Sequence, residues 1–75
     1  MTYDATLDTT GLLCPLPVLK ARKRLSGMTP GTVLHVVADD PVAVIDIPHF
    51  CEEAGHVLLD MQTGGAQQVY LIRKG

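Results

Sequence analysis

The sequence predicts an α/β fold of order βαβαββ, with a four-stranded mixed sheet and two helices on one of its faces. Three observations carry that reading. Hydrophobic periodicity switches between two and about 3.6 residues along the chain. Asp40-Pro41 opens a second helix directly after a β-branched run, and Gly64-Gly65 divides two strand-like segments near the carboxyl end.

Tyr3, Ala5 and Leu7 alternate with Asp4, Thr6 and Asp8, so the first strand has one buried face and ends at Thr9, Thr10 and Gly11. From Cys14 to Gly27 the spacing becomes helical. Val18, Ala21, Leu25 and Met28 form an apolar stripe, Lys20, Lys23 and Arg24 share another face, and Gly27 is a helix stop. Pro30-Gly31 supplies a turn into Thr32 to Ala38, a mostly apolar run that reads as a central strand buried on both sides. Asp40 can cap the free N–H groups of the next helix, with Pro41 at its first position. Pro48 should kink or split that helix, since proline lacks a donor and clashes with the preceding turn, and Gly55 ends it. Val57 to Met61 and Val69 to Arg73 complete the sheet as a hairpin. A strand, helix and strand in succession imply a parallel pair with a right-handed crossover, which puts both helices on the same face.

Seventy-five residues leave room for one small core, so residues 1–75 are expected to form a single domain. The content of 47% hydrophobic and 19% charged residues excludes a disordered segment. Six Lys and Arg against eight Asp and Glu give a net charge of −2, which with only three aromatics argues against direct nucleic-acid binding. The longest apolar runs, such as Val42 to Ile45 and Val69 to Ile72, are far short of the roughly 20 residues that cross a bilayer. Met1 to Asp8 lacks the basic start and apolar stretch of a secretory signal, so the expected location is the reducing cytoplasm and the two cysteines are expected to be thiols.

The chemistry concentrates at Cys14-Pro15-Leu16-Pro17, between the first strand and the first helix. Cys14 in the capping position would put Pro15 at the first helical position and aim the thiol along the helix axis. The positive end of the helix dipole and any nearby cation would then favour thiolate, the nucleophilic form. Pro15 and Pro17 both lack N–H groups, leaving Leu16 as the main unpaired donor of the first turn, so rigidity is the clearer gain. On a helical wheel Leu16 and Leu19 fall beside Lys20 and Lys23 on the solvent side. An apolar spot with a basic rim completed by Arg24 suits a protein partner bearing acidic groups.

The other polar and sulfur-bearing residues have plainer readings. Cys51, beside Phe50, reads as core packing, and a disulfide to Cys14 is not expected, because Cys51 lies eleven residues beyond Asp40, roughly 15 Å along the helix. His49, Cys51 and His56 do not form a zinc spacing, and His35 reads as a sheet-face histidine. Asp39 and Asp40 read as helix capping, although strand carboxyl ends also bring them near Cys14. Gly11 is a turn glycine.

Gly11-Leu12-Leu13-Cys14-Pro15-Leu16-Pro17, Ala38-Asp39-Asp40-Pro41 and Asp46-Ile47-Pro48-His49-Phe50-Cys51 together resemble the TusA/SirA sulfur-carrier family over essentially the whole chain. The resemblance implies a two-layer α/β sandwich similar to the C-terminal domain of bacterial translation initiation factor three, and it implies that Cys14 carries sulfur as a persulfide. Gly11, Pro15, Leu16 and Pro17 match the motif that positions this cysteine. One position departs: Leu16 stands where tRNA-thiolation carriers usually have an acidic residue.

The resemblance also implies partners: a sulfur donor such as a cysteine desulfurase or rhodanese, and a downstream acceptor protein in tRNA thiolation, sulfur oxidation or cofactor assembly. The exchange needs one exposed thiolate and no metal, flavin or nucleotide, so the chain is sulfurtransferase-like while acting as a carrier within a relay. The alternative reading is a regulatory or RNA- or protein-binding module that uses the basic helix Lys20 to Arg24, with Cys14 merely capping it.

Overall fold

The computed structural model describes residues 2–75, and Met1, the first residue of the amino-terminal stretch considered above, lies outside the described residues. The elements are β1 (Ala5–Asp8), α1 (Leu16–Ser26), β2 (Val33–Ala38), α2 (Ala43–Ala54), β3 (Val57–Gln62) and β4 (Gln68–Arg73), the predicted βαβαββ order. The sheet order is β1-β2-β4-β3. β1 and β2 run parallel, and β4 is antiparallel to both of its neighbours. No helix among the described residues is long and apolar enough to cross a membrane.

Direct cross-strand partners lie on the same face of a sheet. The pairs Leu34↔Ile72, Val36↔Tyr70 and Ala38↔Gln68 therefore define the face that both helices cover. α1 buries Pro17, Ala21 and Leu25 against it, and α2 buries Ala43, Ile47, Phe50 and Cys51. Val18 and Met28, the remaining members of the apolar stripe, pack at the edge of this core.

The opposite face has no helix on it, which corrects the expectation that β2 is buried on both sides. Val33, His35 and Val37 are half-buried, alternating with the fully buried Leu34, Val36 and Ala38. Two helices on one face leave the other to water, so a β-branched run here reflects a position inside the sheet rather than a second covering layer. β1 begins at Ala5 rather than Tyr3. Tyr3 is half exposed and stacks on His35, with ring centroids 4.5 Å apart, while Asp4 exchanges hydrogen bonds with Val33. His35 is the sheet-face residue predicted, within 3.1 Å of the Thr6 hydroxyl.

Pro48 does not split α2, which runs unbroken from Ala43 to Ala54. Proline denies the Val44 carbonyl its helical partner, but Ile47, Phe50 and Cys51 are anchored in the core directly beside it, and this packing outweighs the lost bond. α2 closes at Gly55, whose φ of 78° is the left-handed conformation that glycine adopts without a Cβ clash.

A buried polar chain crosses the core edge. The Tyr70 hydroxyl donates to Gln68 Oε1 at 2.8 Å, and Gln68 Nε2 donates to the Asp40 carbonyl at 3.0 Å. Tyr70→Phe removes a donor and leaves a buried acceptor unpaired, so it is expected to lower stability by about 1 kcal/mol, a shift of a few degrees in thermal melting. A melting temperature equal to that of the wild type would show that this chain contributes nothing.

Candidate functional site around Cys14

Because β1 and β2 are parallel, both strands end at the same edge of the sheet, and the loops that follow them meet there. Thr9, fully buried, ties the first loop down by donating its hydroxyl and its N–H to the Val37 carbonyl, each at 2.7 Å. Gly11, at φ 80°, takes a conformation suited to glycine and donates its N–H to Asp39 Oδ1 at 2.9 Å. Cys14 then donates its N–H to Asp40 Oδ2 at 2.7 Å. The same Asp40 receives the Val42 N–H on Oδ1 at 3.2 Å and the Ala43 N–H on its carbonyl at 3.0 Å. Asp40 is 4% exposed, and it fastens the Cys14 loop to the start of α2.

Capping was expected of Asp39 and Asp40 alike. Neither caps α2: the helix begins at Ala43 with Val42 in the capping position and no side-chain cap, so Pro41 lies in the turn before it rather than at the first helical position. In that turn Asp40 receives the Val42 N–H, while Asp39 is engaged with Gly11 across the site. The start of α1 also differs from expectation. The helix begins at Leu16 with Pro15 in the capping position, so Cys14 lies one residue outside it. The Leu16 N–H, expected to be unpaired, donates to the Leu13 carbonyl at 2.8 Å, while the Pro15 carbonyl accepts from Leu19. A tight turn has used the donor that sequence spacing left free for sulfur. The Cys14-Pro15 peptide bond is cis.

The electrostatics reverse the expected bias toward thiolate. Cys14 is exposed, and its thiol donates to Asp46 Oδ2 at 3.0 Å. That hydrogen bond, then desolvation, then the negative charges of Asp46 and Asp40 all hold the Cys14 thiol above the ordinary cysteine value. A carboxylate at contact distance outweighs the partial positive end of α1. Cys51 is buried in the core as expected, and burial pushes its thiol up to about 11. The two cysteines are free.

The remaining predicted residues lie on α1, one buried and the others exposed. Pro17 is buried and locks the first turn of α1 to the core. Leu16 and Leu19 are exposed at 43% and 46%, and Lys20, Lys23 and Arg24 are exposed on the same helix. Sequence reasoning missed Asp46, although it lies within one of the family's motifs, and missed the exposed apolar residues Leu13, beside Cys14, and Val42 and Ile45, ahead of Asp46. The acidic first turn of α2 was a visible signal for Asp46. Its distance to Cys14 follows only from the packing of the two loops. Beside Pro15 an open groove of about 460 Å³ runs between α1 and α2. It is floored by Val18 and Phe50 and bordered by Arg22, Asp46, His49 and Glu53.

One exposed thiol is thus held just ahead of a helix at one end of a two-layer α/β fold. Residues 5–74 match the family model described as Sulfurtransferase TusA. The chain belongs to the TusA family, whose members carry sulfur and work in relays with other proteins. The crystal structure of a SirA-like protein from Desulfitobacterium hafniense has the same fold, with a TM-score of 0.83 at 24% sequence identity, covering 96% of this chain and 99% of that one.

Proposed function

We propose that this chain is a single-domain sulfur-relay carrier that accepts sulfane sulfur as a persulfide on Cys14 and passes it to an acceptor protein in the cytoplasm. The observation that carries the reading is the exposure of Cys14 in a loop held by Thr9, Asp39 and Asp40, at the cysteine of the family's Cys-Pro-x-Pro motif. A thiolate of Cys14 attacks the terminal sulfur of a donor persulfide. A new sulfur–sulfur bond forms, the donor's breaks, and the donor leaves as a thiol after protonation. The exchange is redox-neutral, and the reverse chemistry discharges the sulfur to the acceptor.

Donors of the cysteine desulfurase or rhodanese kind supply such a persulfide. Leu16 and Leu19 furnish apolar contact beside the thiol, and Lys20, Lys23 and Arg24 furnish the basic rim. The reading is tested by incubating the protein with a cysteine desulfurase and cysteine, then counting cyanide-labile sulfur on the isolated chain. One sulfur per chain is expected, and none would overturn it.

Charge reversal at both Lys20 and Lys23 is expected to lower the association rate with an acidic-surfaced donor by about tenfold at low salt and to flatten its salt dependence. Leu16→Asp is expected to act on dissociation, shortening the complex lifetime about tenfold, because it places a charge where apolar contact is made. Stopped-flow association and dissociation rates over a salt series separate the two. Wild-type rates in both variants would make this helix face ordinary solvated surface.

A further inference from the structure

We propose that Asp46 gates Cys14: its carboxylate holds the sulfur as a neutral thiol in the free carrier, and a partner protein that presents a cation to Asp46 releases it as the nucleophile. The proposal rests on the reading of Cys14 as the sulfur-carrying residue and adds how that residue is switched and what its partners must bring.

The two charged groups in contact with Cys14 are both acidic. Asp46 on α2 accepts the thiol proton's hydrogen bond at 3.0 Å, and Asp40 in the turn before α2 accepts the Cys14 N–H at 2.7 Å. Asp39, after β2, holds Gly11 at the base of the loop. On the α1 side the groove beside the thiol contributes Pro15, Val18 and Arg22. The Arg22 guanidinium is drawn to the Phe50 ring, 5.4 Å from its centroid, and His49 is engaged with Glu53 at 2.9 Å. Among the described residues no cation forms an ion pair with Asp46. A thiolate formed here would meet a carboxylate at contact distance, so the negative charge must be compensated from outside the chain.

The surroundings specify what supplies it. Leu13 and Leu16 flank the Cys14-Pro15 step, Val42 and Ile45 precede Asp46 at the start of α2, and all four are exposed. A docking partner that covers this apolar collar excludes water, which strengthens a cation–carboxylate contact at its centre. The matching surface is therefore an Arg or Lys flanked by apolar side chains. Once that cation pairs with Asp46, the Cys14 sulfur attacks the donor's terminal sulfur as a thiolate, and the proton it gives up is the one the departing donor sulfur receives. The donor sulfur leaves with the electron pair and takes up a proton, so Cys14–SH and R–S–SH become Cys14–S–SH and R–SH with no oxidant required. Without a partner the sulfur stays protonated and slow to react with adventitious electrophiles.

The gate is tested on the folded full chain with small probes. The pH–rate profile of Cys14 alkylation by iodoacetamide, a neutral reagent, is measured by mass spectrometry for wild type and Asp46→Asn, which keeps an acceptor oxygen and removes the charge. Asp46→Asn is expected to move the profile to lower pH and to raise the rate at neutral pH about tenfold. A profile that superimposes on the wild type or moves to higher pH overturns the gate. The same two proteins are then treated with cystamine, a dicationic disulfide, and with 3,3′-dithiodipropionate, a dianionic one. Wild type is expected to favour cystamine, and Asp46→Asn to lose about fivefold of that preference. If Asp46→Asn fails to fold by circular dichroism, the wild type alone decides. Its preference for cystamine must fall as ionic strength rises, and a preference that is absent or indifferent to salt overturns the proposal. Persulfide loading is scored in parallel: an unshifted profile with normal loading of Cys14 overturns the gate alone, and a shifted profile without loading overturns the carrier reading alone.

Discussion

Cys14→Ser is expected to abolish persulfide loading while leaving the fold intact. Serine cannot form the sulfur–sulfur bond, so the loss is complete rather than partial. The loop has no reason to collapse, because its anchors are backbone contacts: the N–H of residue 14 still reaches Asp40, and Gly11 still reaches Asp39. A serine hydroxyl can also donate to Asp46 where the thiol did. Cys51 cannot substitute, being 2% exposed with a thiol pushed up to about 11 by burial. Cys51→Ser is accordingly expected to load normally while losing about 1–3 kcal/mol of stability, since it buries a hydroxyl in an apolar core. Circular dichroism melting and a cyanolysis assay on the two variants check both halves. Sulfur uptake by folded Cys14→Ser equal to that of wild type would sink the assignment.

Asp40→Ala is expected to have the largest effect on the fold. The buried Asp40 side chain receives two backbone N–H groups from separate loops, those of Cys14 and Val42, and its removal leaves both donors without a partner at a part-buried position. Two such losses amount to about 2–4 kcal/mol, a fall of about 10–20 °C in melting temperature for a domain of this size. Asp40→Asn keeps one acceptor oxygen and should lose about half as much. The loop should loosen before the sheet does, so amide exchange at Cys14 should accelerate in Asp40→Asn while Leu34 and Ile72 in the sheet core remain protected. Protection at Cys14 equal to wild type would mean that Thr9 and Asp39 hold the loop without Asp40.

The architecture was legible in the sequence because each element carries its own period. Alternation at Ala5 and Leu7, helical spacing at Ala21 and Leu25, and glycine at residue 55 are local signals, and the structure uses each as read. The readings that failed depend on contacts between elements. Pro48 breaks an isolated helix, but Ile47, Phe50 and Cys51 pin this one to a sheet that no local window contains. The β-branched run of β2 looks doubly buried until both helices are counted on one face. At the candidate site, Cys14 was singled out from its flanking prolines and from the family motif, whereas Asp40, read as the cap of a helix starting at Pro41, instead holds the Cys14 loop ahead of a helix that starts at Ala43. The thiol's environment was misread for one reason. A helix start suggests positive potential along the chain, whereas Asp46 comes from the other helix, 32 residues away, and contacts the sulfur directly. Leu13, Val42 and Ile45 were obscured similarly, since an exposed apolar residue looks like any other until the loops that carry it are brought together.

The most direct measurement is intact mass and peptide mapping of the wild-type chain after incubation with a persulfide-forming cysteine desulfurase and cysteine, before and after dithiothreitol. The account predicts the added mass of one sulfur atom per chain, located on the peptide that contains Cys14 and released by dithiothreitol. Sulfur on Cys51, or an unmodified Cys14 under conditions that load the desulfurase itself, would contradict it.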